Sequence, residues 1–309
     1  RMNIQTENRL KEALIYLESG NPEQTHKIIA PLFESDLDST ELIYTTQVCT
    51  FWAGTISNLS TIENPFEKSE LLLNEWKLFV PHIAKYKEYL PAFYAIQKGI
   101  FTLALENYIK LFDQPASKFK AEIYRKAGMC YKKLGSFENA SRCLSEANNL
   151  NPGQAAILAE LADCFSLCGN DKNAKVMFRE AFFIGADQID IDFLDSGLIR
   201  SLIDKLGDKN FHGKQLNEWI PVYGVLWGIF NIKREMSSQE IAKLKQDIYS
   251  MEMERKHPSC DEEILVPRLL KSYFWLIDQF NMSHNMEAQI NEVLLKIKLL
   301  DSNIYKLYI

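Results

Sequence analysis

Residues 121–154 read AEIYRKAGMCYKKLGSFENASRCLSEANNLNPGQ, and residues 155–188 read AAILAELADCFSLCGNDKNAKVMFREAFFIGADQ. Laid over one another with a shift of 34 and no gap, the two segments correspond at eight positions. Tyr124 pairs with Leu158, Ala127 with Leu161, Gly128 with Ala162 and Tyr131 with Phe165. Gly135 pairs with Gly169, Ala140 with Ala174, Leu144 with Phe178 and Ala147 with Ala181. Tyr124, Ala127, Gly128 and Tyr131 recur at helical spacing, so each segment opens with an amphipathic helix. Gly135 and Gly169 follow, where a residue that tolerates positive φ ends a helix. Ala140, Leu144 and Ala147 then set the inner face of a second helix. Small residues at Gly128, Ala162, Ala140 and Ala174 let the paired helices approach closely. Asn151-Pro152 closes the first segment, because proline disfavours helical backbone in the residue before it. Ala186 stands at the equivalent place in the second, so that exit is less sharply set.

A helix–turn–helix period of this length resembles the tetratricopeptide repeat. The first segment carries that family's pattern at Tyr124, Ala127, Gly128, Tyr131, Gly135, Phe137, Ala140, Leu144, Ala147 and Pro152. Ala127 is smaller than the family usually has, and in the second segment Asp171 departs from the aromatic position. Upstream, Gly99, Ala104, Tyr108 and Leu111 echo Gly135, Ala140, Leu144 and Ala147 at an offset of 36, which predicts a third unit over 85–118. Ala13, Tyr16, Gly20 and Ile29 also fit, although Glu12 and Thr25 do not, which predicts a degenerate repeat near the start. The expected fold is therefore all-α, a helix–turn–helix repeat solenoid with irregular helical ends. The sequence pattern divides it into an N-terminal region 1–84, repeats at 85–118, 121–154 and 155–188, and a C-terminal region 189–309.

The flanks are read from their own signals. Residues 39–84 hold two helices, the second beginning at Asn64-Pro65, since proline suits a first helical position. Past residue 188 the register is lost, but Leu198, Ile199, Leu202, Ile203 and Leu206 form an apolar face ending at Gly207. Ser237-Ser238-Gln239-Glu240 is a capping-box start for a helix reaching about Lys256. Further helices are expected over about 263–280 and around Ile290, Leu294, Leu295, Ile297 and Leu299. Terminal units of an array must cover its last open face, so departure from the repeat is expected there.

Function is narrowed mostly by exclusion. The chain has 309 residues with 35 Lys+Arg against 41 Asp+Glu, and a formal charge of −6 does not suit a dedicated nucleic-acid binder. It holds no apolar run long enough to cross a bilayer. Gly207 to Gly213, followed by Lys214, has five residues between the glycines where a phosphate loop has four, and Gln215 replaces the hydroxyl that would bind magnesium. Asp187, Asp190, Asp192 and Asp195 miss the spacing of a calcium loop and read as acids favouring a helix start. No nucleophile, base and orienter constellation is visible, so a non-enzymatic protein without metal or cofactor is expected. The six cysteines include no CxxC pair and read as buried, reduced thiols. Free thiols suit a reducing compartment, so a cytoplasmic location is the expectation. The chain opens on Arg1-Met2, and a leader or anchor ahead of Arg1 would leave the same residues.

In tetratricopeptide arrays the first helix of each unit lines a groove that binds extended peptides or partner helices. The resemblance implies that outward positions there are Glu122, Arg125, Met129 and Lys132 in one unit, with Asp163 and Ser166 among their counterparts in the next. Lys126 and Lys133 add basic character, which would favour an acidic segment. Members that grip a C-terminal carboxylate use a basic residue and asparagines at such positions. Arg125 matches, while Met129 and Asp163 replace the asparagines, so a free C-terminal peptide is not the expected ligand. Trp219, Tyr223 and Trp227, with Phe230, make an aromatic stripe that either packs in the core, against Phe274 and Trp275, or docks a partner. Pro221 implies a helix that begins or kinks there. The expected function is a scaffold for protein or peptide partners. The alternative is a homo-oligomeric structural component that mates through its aromatic or C-terminal helices.

Overall fold

The computed structural model describes residues 4–309, so Arg1-Met2 lies outside the described residues. Among the described residues there are fifteen α-helices, four short 3₁₀ turns and no strand, in agreement with the all-α expectation. No described helix is long and apolar enough to cross a membrane. The chain forms two compact units, Arg1–Pro152 and Gly153–Ile309. That boundary falls two residues before the end of the first quoted segment, whereas the divisions at 84 and 188 follow sequence pattern alone.

The first unit holds α1 (Ile4–Glu18), α2 (Pro22–Ile29), α3 (Thr40–Asn58), α4 (Pro65–Ile83), α5 (Leu90–Ile109), α6 (Lys118–Lys133) and α7 (Phe137–Leu150). The turn between α6 and α7 is a Schellman closure around Gly135 at φ +75°. Ser136 N donates to Tyr131 O at 2.9 Å, Gly135 N to Lys132 O at 3.0 Å and Leu134 N to Cys130 O at 3.0 Å. The same geometry recurs between α1 and α2, where Gly20 has φ +73°. There Asn21 N donates to Tyr16 O at 2.8 Å and Gly20 N to Leu17 O at 2.9 Å. Thr25, which breaks the sequence pattern, is fully buried, and its hydroxyl donates to Ala13 O at 2.9 Å. A polar residue thus occupies an alanine position because the facing helix supplies an acceptor.

The expected unit over 85–118 is corrected: α5 runs unbroken through Gly99, so no turn forms there. Gly99 serves contact instead. A Cβ placed on it would lie 2.1 Å from Leu17 O and 3.0 Å from Gly20 N, so α5 meets the end of α1 backbone to backbone. On its other side α5 packs against α4, where the buried Ser69 hydroxyl donates to Ala104 O at 2.7 Å. Trp52, Trp76, Phe79, Phe93 and Phe101 fill the space between α3, α4 and α5, with Trp76 and Phe101 ring centroids 5.0 Å apart. The Asn64-Pro65 start holds, since Asn64 Oδ1 accepts from Phe66 N at 2.9 Å.

The second unit holds α8 (Ala155–Leu167), α9 (Asp171–Gly185), α10 (Gly197–Gly207), α11 (Gly213–Leu226), α12 (Ser238–Arg255), α13 (Glu262–Met282), α14 (Glu287–Leu300) and α15 (Ser302–Tyr308). The α8–α9 turn repeats the α6–α7 turn bond for bond. Gly169 has φ +81°, Asn170 N donates to Phe165 O at 2.8 Å, Gly169 N to Ser166 O at 2.9 Å and Cys168 N to Cys164 O at 3.0 Å. The capping box at Ser237 and Glu240 is formed in both directions. Helix α11 starts at Gly213 and passes through Pro221. Helix α13 is the unit's central element, contacting α9, α11, α12 and α14. Of the six cysteines, Cys49, Cys130, Cys143 and Cys164 are buried as expected, Cys260 is half-buried and Cys168 is exposed. Burial pushes the Cys49 thiol up to about 12 and Cys143 to about 11, which leaves both unreactive at neutral pH.

Candidate functional site

The residues expected to line an open groove are placed otherwise. Arg125, Met129 and Lys132 of α6 are buried, as is Asp163 of α8, which corrects the outward orientation assigned to them. Half-buried Glu122 takes Nε and Nη2 of Arg125 at 2.8 and 2.5 Å. Burial would raise the Glu122 carboxyl, but the hydrogen bonds and charge of Arg125 outweigh it and hold it below the usual range. Lys126 reaches Glu70 of α4 at 3.2 Å, and the same carboxylate accepts the Tyr108 hydroxyl at 2.6 Å. Ser166 donates to Asp171 at 2.7 Å, a local bond at the α8–α9 turn.

Asp163 has a structural task. Its carboxylate accepts Asp195 N at 2.8 Å and Ser196 N at 2.9 Å, ahead of α10. A buried acceptor for two backbone donors at a helix start satisfies groups that the helix itself cannot. Asp163→Ala is expected to destabilise the second unit by about 2 kcal/mol, since the donors lose a buried acceptor. Urea denaturation followed by circular dichroism measures it.

The aromatic stripe is core. Trp219 and Tyr223 are buried, and Trp219 stacks on Phe211 with centroids 5.0 Å apart and planes 10° from parallel. Trp227 is half-buried, 4.8 Å from Tyr223, with Lys205 above its ring. Phe230 turns back over Gly224, where a Cβ would meet its ring at 2.3 Å, and stacks on Phe182. Phe274 and Trp275 meet the rings of Tyr308 and Phe183 respectively, within the same hydrophobic core as the stripe.

Each unit holds a concave feature among its described residues. In the first unit Tyr94, Gln97, Lys98 and Thr102 of α5 face Lys133 and Leu134 at the end of α6 around a depression of about 370 Å³. Gln97 Nε2 donates to Lys133 O at 3.0 Å, which ties the two walls together. Tyr94 is 58% exposed, and Lys98 pairs with the exposed Glu18 at 3.1 Å. Of the expected groove residues, Lys133 alone lines this surface.

In the second unit a cavity of about 530 Å³ opens among α9, α11, the segment 228–237, α12 and α13. Arg234 lines it, bridging Glu180 at 2.7 Å and Glu240 at 2.9 Å. Those bonds, led by the one from Arg234, hold the Glu240 carboxyl down at about 2. At the inner wall Arg268 donates through Nε and Nη2 to Glu218 Oε1 at 2.9 and 2.7 Å. Glu218 Oε2 is buried with no donor. Lys271, beside it, is 7% exposed and lines the same cavity. Phe183, Leu244, Met251 and Trp275 supply apolar wall. Sequence reasoning passed over Lys271, although its signal was present: a single cation inside the apolar run Leu269 to Ile277, three residues before buried Phe274.

Compared with protein-family models and with curated proteins, the chain matches none.

Proposed function

We propose that this protein is a non-enzymatic interaction scaffold of the tetratricopeptide-like class, holding a segment of a partner protein on a preformed helical surface. The observation that carries the reading is the turn repeated at Gly135 and Gly169, with the same φ sign and the same hydrogen bonds 34 residues apart. Hairpins of this kind present side chains from rigid helices, which suits recognition without chemistry on the ligand. The buried positions of α6 shift the expected surface to the α5–α6 depression, where Tyr94 and Lys98 stand in solvent. An exposed aromatic next to lysines suits an acidic segment carrying an apolar anchor.

The test is affinity capture from lysate of the source cell with wild type and with a Tyr94→Ala, Lys98→Glu variant. Both changes are at exposed positions, so folding is expected to be retained. A protein held by wild type and lost by the variant supports the surface; every captured protein retained equally refutes it.

A second reading, self-association, is favoured by α14. Its buried Val293 and Ile297 face the unit, while Leu295 at 55% and Leu299 at 76% exposure form an outer apolar stripe. If a second copy covers that stripe, light scattering gives a mass that rises with concentration, and Leu295→Lys with Leu299→Lys abolishes the rise.

A further inference from the structure

The second unit's cavity has the makings of a small-molecule site. Lys271 is buried, and among the described residues no carboxylate forms an ion pair with it and no acceptor takes a hydrogen bond from its Nζ. A buried ammonium without a partner is expensive, and the ordinary remedy is loss of its proton. Glu218, which lines the same cavity, keeps Oε1 for Arg268 and leaves Oε2 bare. Two unsatisfied polar groups, one able to act as an amine and one able to carry a proton, thus share the wall of a cavity large enough for a small organic molecule.

Charge selects the guest. Four basic and five acidic side chains line the cavity. Arg234, Arg268 and Lys243 are each held by carboxylates, Lys243 by Asp247 at 2.8 Å. The lining therefore offers an anion no net attraction, and it becomes still less hospitable once Lys271 is neutral. A neutral guest with an apolar body fits better, its body against Phe183, Leu244 and Trp275.

We propose that Lys271 is an imine-forming amine that captures a small aldehyde or ketone in this cavity, with Glu218 Oε2 relaying the proton. The neutral Nζ lone pair adds to the carbonyl carbon and forms the C–N bond. Glu218 takes a proton from that nitrogen and delivers it to the former carbonyl oxygen. A second proton passes from the nitrogen to that oxygen by the same route, the C–O bond breaks, water leaves and the C=N bond forms; nothing is oxidised or reduced. The electrostatics support the chemistry. Burial pushes the Lys271 amine down to about 8; the charge of Glu218 opposes that shift, Arg268 adds to it and Asp187 opposes it. At pH 7.4 roughly a fifth of such an amine is neutral, against roughly a thousandth of an ordinary lysine.

Wild-type protein is incubated with benzaldehyde and sodium cyanoborohydride, and benzylated lysines are quantified by peptide mass spectrometry. Lys271 is expected to react at least tenfold faster than the exposed Lys243 and Lys245. Its rate should level off above pH 8 while theirs keep rising, and a Lys271→Met variant should remove that fast site alone. Reaction at Lys271 no faster than at Lys243 and Lys245 overturns the proposal. So does protection from heat unfolding by benzoate with no fast labelling by benzaldehyde, which would mark Lys271 as a charged anion holder. Neither outcome bears on partner capture by the first unit.

Discussion

Replacing Asp278 by alanine is expected to destabilise the second unit by about 3–5 kcal/mol, the usual loss when one member of a buried ion pair is removed. Asp278 and Arg179 join α13 to α9 through a direct Nη2–Oδ2 contact at side chains 4% and 6% exposed. Arg179 also donates to Phe230 O at 2.5 Å and lies over the Phe183 ring. Lys233 adds a second cation on Asp278 at 2.8 Å. Burial draws the Arg179 guanidinium below its usual range, although Asp278 pulls it back. Without the carboxylate that charge would stay desolvated and uncompensated. A chemical denaturation curve of Asp278→Ala measures the loss. Arg179→Met, Asp278→Leu should recover part of it, because an apolar pair leaves no stranded charge.

Gly99→Ala is expected to cost about 3 kcal/mol in the first unit, at the upper end of what overpacking one methyl does. The new Cβ would sit 2.1 Å from Leu17 O, and both sides of that contact are backbone, so no side chain can swing away. Relief requires α5 to move off the end of α1. Gly54 in α3 is the control: nothing lies within 4 Å of its Cβ position. Gly54→Ala should therefore stabilise by about 1 kcal/mol through helix propensity alone. Thermal denaturation of the two variants should give shifts of opposite sign.

These two sites show what the sequence makes legible and what it hides. The turns at Gly135 and Gly169 were readable because a positive-φ cap demands glycine and leaves a mark at fixed spacing. The starts at Asn64-Pro65 and Ser237 were readable for the same local reason. Gly99 carried the same letter for a different cause, close approach of helices far apart in sequence, and spacing alone cannot separate the two. Thr25 broke the repeat in sequence yet not in the fold, because its acceptor, Ala13 O, belongs to the preceding helix. The groove residues failed through orientation. Arg125, Met129 and Lys132 lie on α6 faces that the resemblance turns outward, and the fold buries them. Pairings such as Glu218 with Arg268 or Arg179 with Asp278 join residues 50 and 99 apart, and no local periodicity records them.

The central claim is that the chain works by holding a protein segment without altering it. Its most direct test is titration of the captured partner into wild type and into Tyr94→Ala, Lys98→Glu, with intact mass of the partner measured before and after. The account predicts saturable binding by wild type, at least tenfold weaker binding by the variant, and an unchanged partner mass. Equal affinity for both proteins, or a partner whose mass changes on incubation, would contradict it.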